Sequence, residues 1–373
     1  MGQSGNSGIR SADKNGSDKA DKSGERSCTR SERFLRSLEG FKGVVLVSHV
    51  HPDPDSLGAM LGLKYLLQEK LELPSLLCRD GLIGRAENRA MVACLKIDLT
   101  PIEDVDWSQP RAVVMVDSQP NTGRHTIPKD VAIHAVIDHH EISGDLDDIP
   151  FVDVRSNVGA TCTLVTGYLM EQKLELPSRL ATALFYGIET EITGFPREAA
   201  KQDDGAALFL YQHLQKDLLA QIHNARLPHS YFETLIKALQ NALTYDKLVV
   251  SWVEELPQAE LAAEIADFLI RFEEVEWAFC AGVYQDQLVM SLRTVHAKGR
   301  AAYVLQEVVE DLGRAGGHDR RAGGSIPLQS TAPTALEQLR SQLRKRLLTA
   351  LDIDEMRGQR LVSKREQLEN LQA

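Results

Sequence analysis

The sequence lacks any apolar run approaching the roughly 18 residues that a membrane-spanning helix needs, so no transmembrane segment and no membrane partner are expected. The start of the chain is polar rather than signal-like, and position 6 is Asn6 where a myristoylation pattern requires Ser or Thr. There is no C-x-x-C pair: Cys28, Cys78, Cys94, Cys162 and Cys280 are scattered, four of them in apolar segments, and a cytoplasmic, reducing environment is the expectation. Positive charge is also short. The formal net charge is -11, which argues against a protein that holds long nucleic acid on a broad basic surface. A short anionic substrate remains compatible with it, because bound cations would add charge that the formal sum omits. What is present is length, 373 residues, ample for two or three domains and a sizeable core.

Residues 1–30 are mostly Ser, Gly, Lys, Asp and Arg and are expected to be a disordered tail. After a short helix around 33–38, a strand and helix rhythm follows. Strands are predicted over 44–48, 75–78, 112–117 and 132–138, with helices starting at Ser56 and Arg85. Such alternation implies a parallel sheet with helices on both faces, and helical segments over 162–172 and 180–188 complete an α/β domain spanning 31–196. Residues 197–245 read as a helical linker. From Leu248 the pattern changes to period two, with strands over 248–254, 277–284 and 288–293 around a turn at Gln285-Asp286. A smaller mixed α/β domain over 246–330 is indicated, then a charged C-terminal helix from about residue 334 to 371 within the segment 331–373.

The chain is organised around residues 44–61, where an apolar run ends in His49-Val50-His51-Pro52-Asp53-Pro54-Asp55 and passes into a helical pattern. The cluster therefore lies on the loop between a buried strand and a helix, where α/β proteins place their chemistry. One imidazole and two carboxylates suit Mn²⁺, Mg²⁺ or Fe²⁺. Asp before a helix is also a common N-cap, and that reading stands beside the metal one. Three later element ends carry the same kind of group: Asp117-Ser118, Asp138-His139-His140 and Glu189-Thr190-Glu191. Parallel strands end at one sheet edge, so these side chains can converge with His49, Asp53 and Asp55 in one crevice.

The ordered set resembles the DHH phosphoesterase superfamily, named for the triplet seen here as Asp138-His139-His140. In the second domain Ser291-Leu292-Arg293 followed by Gly316-Gly317-His318 resembles the DHHA1 substrate-binding domain. The two-domain form is similar to the NrnA-type oligoribonucleases, which also dephosphorylate 3'-phosphoadenosine 5'-phosphate (pAp). The resemblance implies a five-stranded parallel sheet, a helical linker, and a mixed-sheet lobe closing a cleft. It implies two Mn²⁺ ions, with Mg²⁺ as the alternative, bridged by Asp117. His49 and Asp53 would complete one site, and Asp55, His139 and Glu191 the other. By the same resemblance, catalysis falls to Asp117 and to His140 facing the scissile phosphate, while Asp138 orients an imidazole. Arg293, Gly316, Gly317, His318 and Arg321 would bind substrate.

Several positions depart from the family pattern. Asp-Gly-Asp is here Asp53-Pro54-Asp55, and the acid of Thr-Asp-Thr is Glu191, one methylene longer. The leading glycine of the second-domain motif is Ala315, and Arg321 stands at the first small residue of its pair. The expectation is a cytoplasmic metal-dependent phosphoesterase that uses metal-activated water on short oligonucleotides or nucleoside phosphates, with a homodimer allowed. Hydrolysis of cyclic dinucleotides or polyphosphate is the rival activity. A non-catalytic nucleotide-binding protein, its second metal site disabled by Glu191, is the rival class.

Overall fold

The computed structural model describes residues 28–192, 199–317, 319–354 and 357–362, so nearly all of the expected N-terminal tail lies outside the described residues. The N-terminal lobe opens with α1 (Arg30–Ser37), held by a capping box in which Thr29 and Glu32 exchange side-chain and backbone hydrogen bonds. Six parallel strands follow: β1 (Val44–Val47), β2 (Ser75–Arg79), β3 (Thr100–Pro101), β4 (Ala112–Val116), β5 (Ala135–Asp138) and β6 (Phe151–Val154), in the order β3-β2-β1-β4-β5-β6. The resemblance implied five. The sixth is accounted for by the two-residue β3, too short to leave a periodic signal.

Helices α2 (Pro54–Leu71), α3 (Ala86–Leu95), α4 (Thr161–Glu171) and α5 (Ser178–Ile192) pack on one face of this sheet, over Val44, Leu46, Val114, Val116 and Ile137. The opposite face, with Val45, Val47, Val113, Met115 and Val136, was expected to carry helices as well. It is covered instead by Ile102 of a one-turn 3₁₀ helix (Ile102–Asp104) and by loop residues such as Val105, Trp107 and Ile127. The β4–β5 crossover explains the difference, because Pro120, Gly123 and Pro128 interrupt any helix between Asp117 and His134.

The segment expected as a linker contains α6 (Lys201–Tyr211), α7 (Lys216–His223) and α8 (His229–Asn241), which do not pack as one unit. Ala206, Leu210 and Ile222 join the core of the first lobe, whereas Ala238 and Ala242 join that of the second. The second lobe is a seven-stranded mixed sheet. Its strands are β7 (Leu243–Tyr245), β8 (Leu248–Glu255), β9 (Trp277–Tyr284), β10 (Gln287–Thr294), β11 (Arg314–Gly317), β12 (Arg321–Pro327) and β13 (Gln359–Arg360), ordered β11-β12-β10-β9-β8-β7-β13. Only β8 and β9 pair in parallel, the connection between them being α9 (Leu261–Leu269). One face packs on α8 and α9, the other on α10 (Ala301–Val308) and α11 (Pro333–Ala350).

The C-terminal helix, expected to run to 371, stops at Ala350. Asp352 takes a left-handed φ of 54°, and the Ile353 and Asp352 amides donate back to the Leu348 and Thr349 carbonyls. That is a Schellman termination, sealed by Ile353 packing on the same core as Leu348. Residues 355–356 and 363–371 of the expected helix lie outside the described residues.

The helices over the first sheet approach closely because glycine stands at their crossings. A Cβ on Gly187 of α5 would lie 2.5 Å from Cys162 Sγ and 2.9 Å from the Pro54 carbonyl, beside the Asp55 backbone; one on Gly58 would lie 2.8 Å from the Ala183 carbonyl. Gly167, on α4, meets nothing within 4 Å. Opposite outcomes are therefore expected in urea denaturation. Gly187→Ala should lose about 1–3 kcal/mol by overpacking, and Gly167→Ala should gain about 0.5–1 kcal/mol from helix propensity. Equal effects at the two positions would contradict the packing described.

Candidate metal centre and cleft

Strand β1 delivers His49 to the C-terminal edge of the parallel sheet, where its imidazole is nearly buried. Nδ1 lies 2.9 Å from the Val50 carbonyl, to which it must donate, so Nε2 is the nitrogen that faces the carboxylates. It sits 2.9 Å from Ser56 Oγ, 3.5 Å from Asp117 Oδ2 and 3.7 Å from Asp53 Oδ2. Asp53 is the N-cap of α2, and its second oxygen is turned to the cluster. Its Oδ1 caps α2 by accepting the Ser56 amide at 3.0 Å, while Oδ2 points at His49.

Asp117 follows β4 with a left-handed φ of 57°, a conformation a non-glycine residue holds only where its surroundings impose it. Its amide donates to the Ile137 carbonyl at 2.9 Å, which fixes the turn and buries the carboxylate. Oδ2 accepts from Ser56 Oγ at 2.8 Å and Oδ1 from Thr161 Oγ1 at 3.0 Å. On the far side from His49, Oδ1 stands 3.5 Å from His139 Nε2 and 3.7 Å from His140 Nδ1. Asp117 thus belongs to two groups with metal-ligand spacing, one with His49 and Asp53, the other with His139 and His140. These mixed imidazole and carboxylate sets fit a pair of divalent cations sharing one carboxylate.

Asp55 is fully buried at the N-terminus of α4, each oxygen accepting one backbone amide, from Cys162 and Thr161, at 2.7 Å. Its Oδ2 is 3.8 Å from His139 Nε2. Burial and the charges of Asp117, Asp53 and Glu191 raise its pKa well above the ordinary carboxylate range, against the pull of the Cys162 amide. Several acids compete for one small volume, and cations are what such a pocket accommodates.

Asp138 faces away from this cluster and acts on His140. Its Oδ1 accepts the amides of His139 (2.8 Å) and His140 (3.2 Å) and the His140 ring at Nδ1 (2.8 Å), while Oδ2 takes Gln119 Nε2 at 2.8 Å. Burial opposes the carboxylate's charge, but the His140 and Gln119 hydrogen bonds hold its pKa down to about 2. For His140, burial works against the imidazolium; the hydrogen bond to Asp138 and the charges of Asp117 and Asp138 outweigh it and push the pKa up to about 9. His49 follows the same logic through Asp117 and Asp53 and is pushed up to about 10.

The floor of the site opens into a cleft of about 650 Å³ between the lobes. His139, His140, Gly159 and Glu191 line the first-lobe wall; Arg300, Tyr303 and Arg321 are among the residues opposite. The structure therefore gathers His49, Asp53, Asp55, Asp117, His139 and His140 within one cluster, and sets Glu191, at the end of α5, on the cleft wall beside the two histidines. Gly317 lines the cleft with φ 142°, and a Cβ there would strike the Arg321 carbonyl at 2.2 Å; Gly316 lies on β11 with no such constraint and is not among the lining residues. His318 lies outside the described residues.

Arg293, expected as a substrate grip, is placed otherwise. It is 8% exposed, donating to Asp267 of α9, to Ser291 and to backbone carbonyls beneath the cleft wall. Asp267 also accepts from Arg85 of the first lobe at 3.0 Å, so this acid ties the lobes together. Sequence reading passed over Ser56 and Thr161, whose hydroxyls hold Asp117, and Gln119, which holds Asp138. Ser56 directly follows Asp55 and Thr161 opens α4, so adjacency to the motifs was the available signal.

In metal-free protein these pKa values fix a pH dependence. His49 and His140 titrate near 10 and 9 when folded, against about 6.5 unfolded. Their contribution to stability is complete below about pH 6.5 and is lost as pH rises through 9 and 10. Thermal unfolding in chelator should show a midpoint that falls over this window, and Asp138→Asn should flatten the His140 part. A midpoint that rises from pH 7 to 10 would contradict the geometry.

Residues 43–188 match the DHH family, N-terminal domain. An uncharacterized protein of Methanocaldococcus jannaschii is 31% identical over 306 residues, 82% of this chain and 62% of the other. The cyclic-di-AMP phosphodiesterase GdpP of Bacillus subtilis is 25% identical over 80% of this chain and 47% of its own length. The bifunctional oligoribonuclease and PAP phosphatase NrnA of Mycoplasma genitalium is 22% identical over 70% and 83%. The chain spans less than two thirds of the length of the first two relatives. Among solved structures, an exopolyphosphatase-related protein from Bacteroides fragilis superposes with a TM-score of 0.63 at 15% identity, covering 86% of this chain and 97% of the other. RecJ from Thermus thermophilus in complex with Mn²⁺ gives 0.50 at 15% identity, covering 87% and 55%. Motif order and sequence match agree in that residues 43–188 of this chain match the DHH family, N-terminal domain.

Proposed function

We propose that the chain is a two-metal phosphoesterase that hydrolyses short oligonucleotides and nucleoside phosphates such as pAp in the cytoplasm, with Mn²⁺ as its working cation. The observation that carries this reading is Asp117, whose two oxygens stand 3.5 Å from His49 on one side and 3.5 Å from His139 on the other, the latter lining a cleft with arginines on its opposite wall. Two cations held by these residues would neutralise phosphate oxygens and supply an activated water. His49, Asp53 and Asp117 would hold one of them; Asp117, His139, Asp55 and Glu191 the other. His140, kept protonated by Asp138, is placed to donate to a phosphate oxygen or a leaving group. The NrnA relative supports the substrate class, and RecJ bound to Mn²⁺ supports the metal.

The cleft volume suits a small substrate. About 650 Å³ falls within the roughly 300–1,000 Å³ of small-ligand sites. A long strand needs many phosphate contacts, each adding roughly one unit of salt dependence, and a chain of net charge -11 is poorly suited to them. GdpP, similar over 80% of this chain, favours a cyclic dinucleotide as the second reading.

A panel of dinucleotide, pAp, cyclic di-AMP and a 25-mer with Mn²⁺ tests the proposal. Turnover on the first two should exceed that on the 25-mer, and processive degradation of the 25-mer would overturn the assignment. Asp117→Ala should lower hydrolysis by roughly a thousandfold or more while the chain stays folded, with metal stoichiometry dropping below two. Glu191→Asp should keep or raise activity, whereas Glu191→Gln should weaken one metal only. Unchanged metal binding and rate in both variants would remove Glu191 from the ligand set.

A further inference from the structure

Helix α10 forms part of the cleft wall opposite the metal-ligand cluster, and its apolar stripe is already satisfied: Ala301, Val304, Leu305 and Val308 are buried in the second-lobe core. Tyr303 is not part of that stripe. It is 54% exposed, one of the larger exposed hydrophobic side chains described, and it lines the cleft. Over its ring, 4.3 Å from the centroid, lies the guanidinium of Arg300. Arg300 is itself unusual. It occupies the N-cap of α10 with φ 55° and makes no side-chain capping hydrogen bond, at a position where Ser, Thr, Asp or Asn would favour the helix. Local helix stability explains neither residue. Both make sense as parts of a surface presented to the cleft.

We propose that Tyr303, backed by Arg300, is a stacking platform for a nucleobase, and that it makes this enzyme select phosphoesters carrying a base over inorganic polyphosphates or base-free esters. The inference rests on the phosphoesterase reading above and specifies its substrate. An aromatic ring with one face held by a guanidinium offers the base a flat, pre-ordered partner, and the cation adds attraction for the attached phosphate. Stacking tolerates any base, since each has a π-face, so the platform selects for the presence of a base rather than its identity. The reacting phosphate then lies toward His139 and His140 across the same cavity.

The test compares the linear dinucleotide pApA, the same backbone with abasic sugars, and tripolyphosphate, all with Mn²⁺ and the full chain. Tyr303→Ala should raise KM for pApA roughly ten- to hundredfold, leave kcat within about threefold, and leave KM for abasic and inorganic substrates unchanged. Tyr303→Trp should restore the pApA value, which a purely structural tyrosine would not permit. An equal rise in KM on the abasic backbone, or no rise on pApA, overturns the platform while leaving the phosphoesterase reading intact. Should the wild type hydrolyse none of the three, the phosphoesterase reading falls on these substrates, and calorimetric binding decides the platform separately. Tighter binding of pApA than of its abasic analogue, lost in Tyr303→Ala, supports it; equal binding of the two by the wild type rejects it.

Discussion

Crowding of buried carboxylates at one point of a sheet edge is the constraint on which the rest of this structure depends. Asp55 and Asp117 are both shielded from water, Asp53 stands beside them, and Glu191 is near enough to raise the Asp55 pKa. Such a set folds only if hydrogen-bond donors are aimed at it. The N-terminal amides of α4 supply two to Asp55, and the hydroxyls of Ser56 and Thr161 supply two to Asp117. The packing of α4 and α5 against α2 is part of the same arrangement, because Gly187 lets the Asp55 backbone approach α5. Core packing and site electrostatics are one problem here, solved by the same helices.

Asp138 shows how a residue can belong to a motif without belonging to the cluster. Its four accepted hydrogen bonds are all turned to its own loop and to Gln119, and none reaches toward Asp117. What it contributes is a fixed orientation and a negative charge that favours the protonated form of His140. A charged imidazole on one cleft wall faces Arg300, Arg320 and Arg321 on the other, in a lining that also carries Glu141, Glu191 and Asp319.

How legible this was in the sequence varies by element. The strands ending in His49, Asp117 and Asp138 could be read because they are buried on both faces and leave unbroken apolar runs. The two-residue β3 and the alternating β6 were missed, one too short for a period and the other half exposed. The metal-ligand candidates were visible because chemistry confines them to a few residue types at strand ends. The hydroxyls of Ser56 and Thr161 were not, since Ser and Thr occur everywhere and only proximity gives them meaning. The burial of Arg293 was likewise hidden, because its partner Asp267 lies on a different element 26 residues away. Tyr303 was not singled out in the sequence; only the burial of its neighbours on α10 shows that it lies outside the apolar stripe.

The division of the linker carries a mechanical meaning. With α6 and α7 built into one core and α8 into the other, the connection between the lobes narrows to residues 224–228, and the four buried apolar clusters fall on one side or the other of it. Across the cleft, the contacts between lobes include polar ones: Arg85 with Asp267, Arg89 with Gln258, and His51 with Glu260 at 4.0 Å. Bonds of that sort exchange with water at little net cost, whereas an apolar seam would not. The two halves are therefore joined by a five-residue connection and by polar contacts, one of which, from His51, starts on the same loop that presents His49 and Asp53.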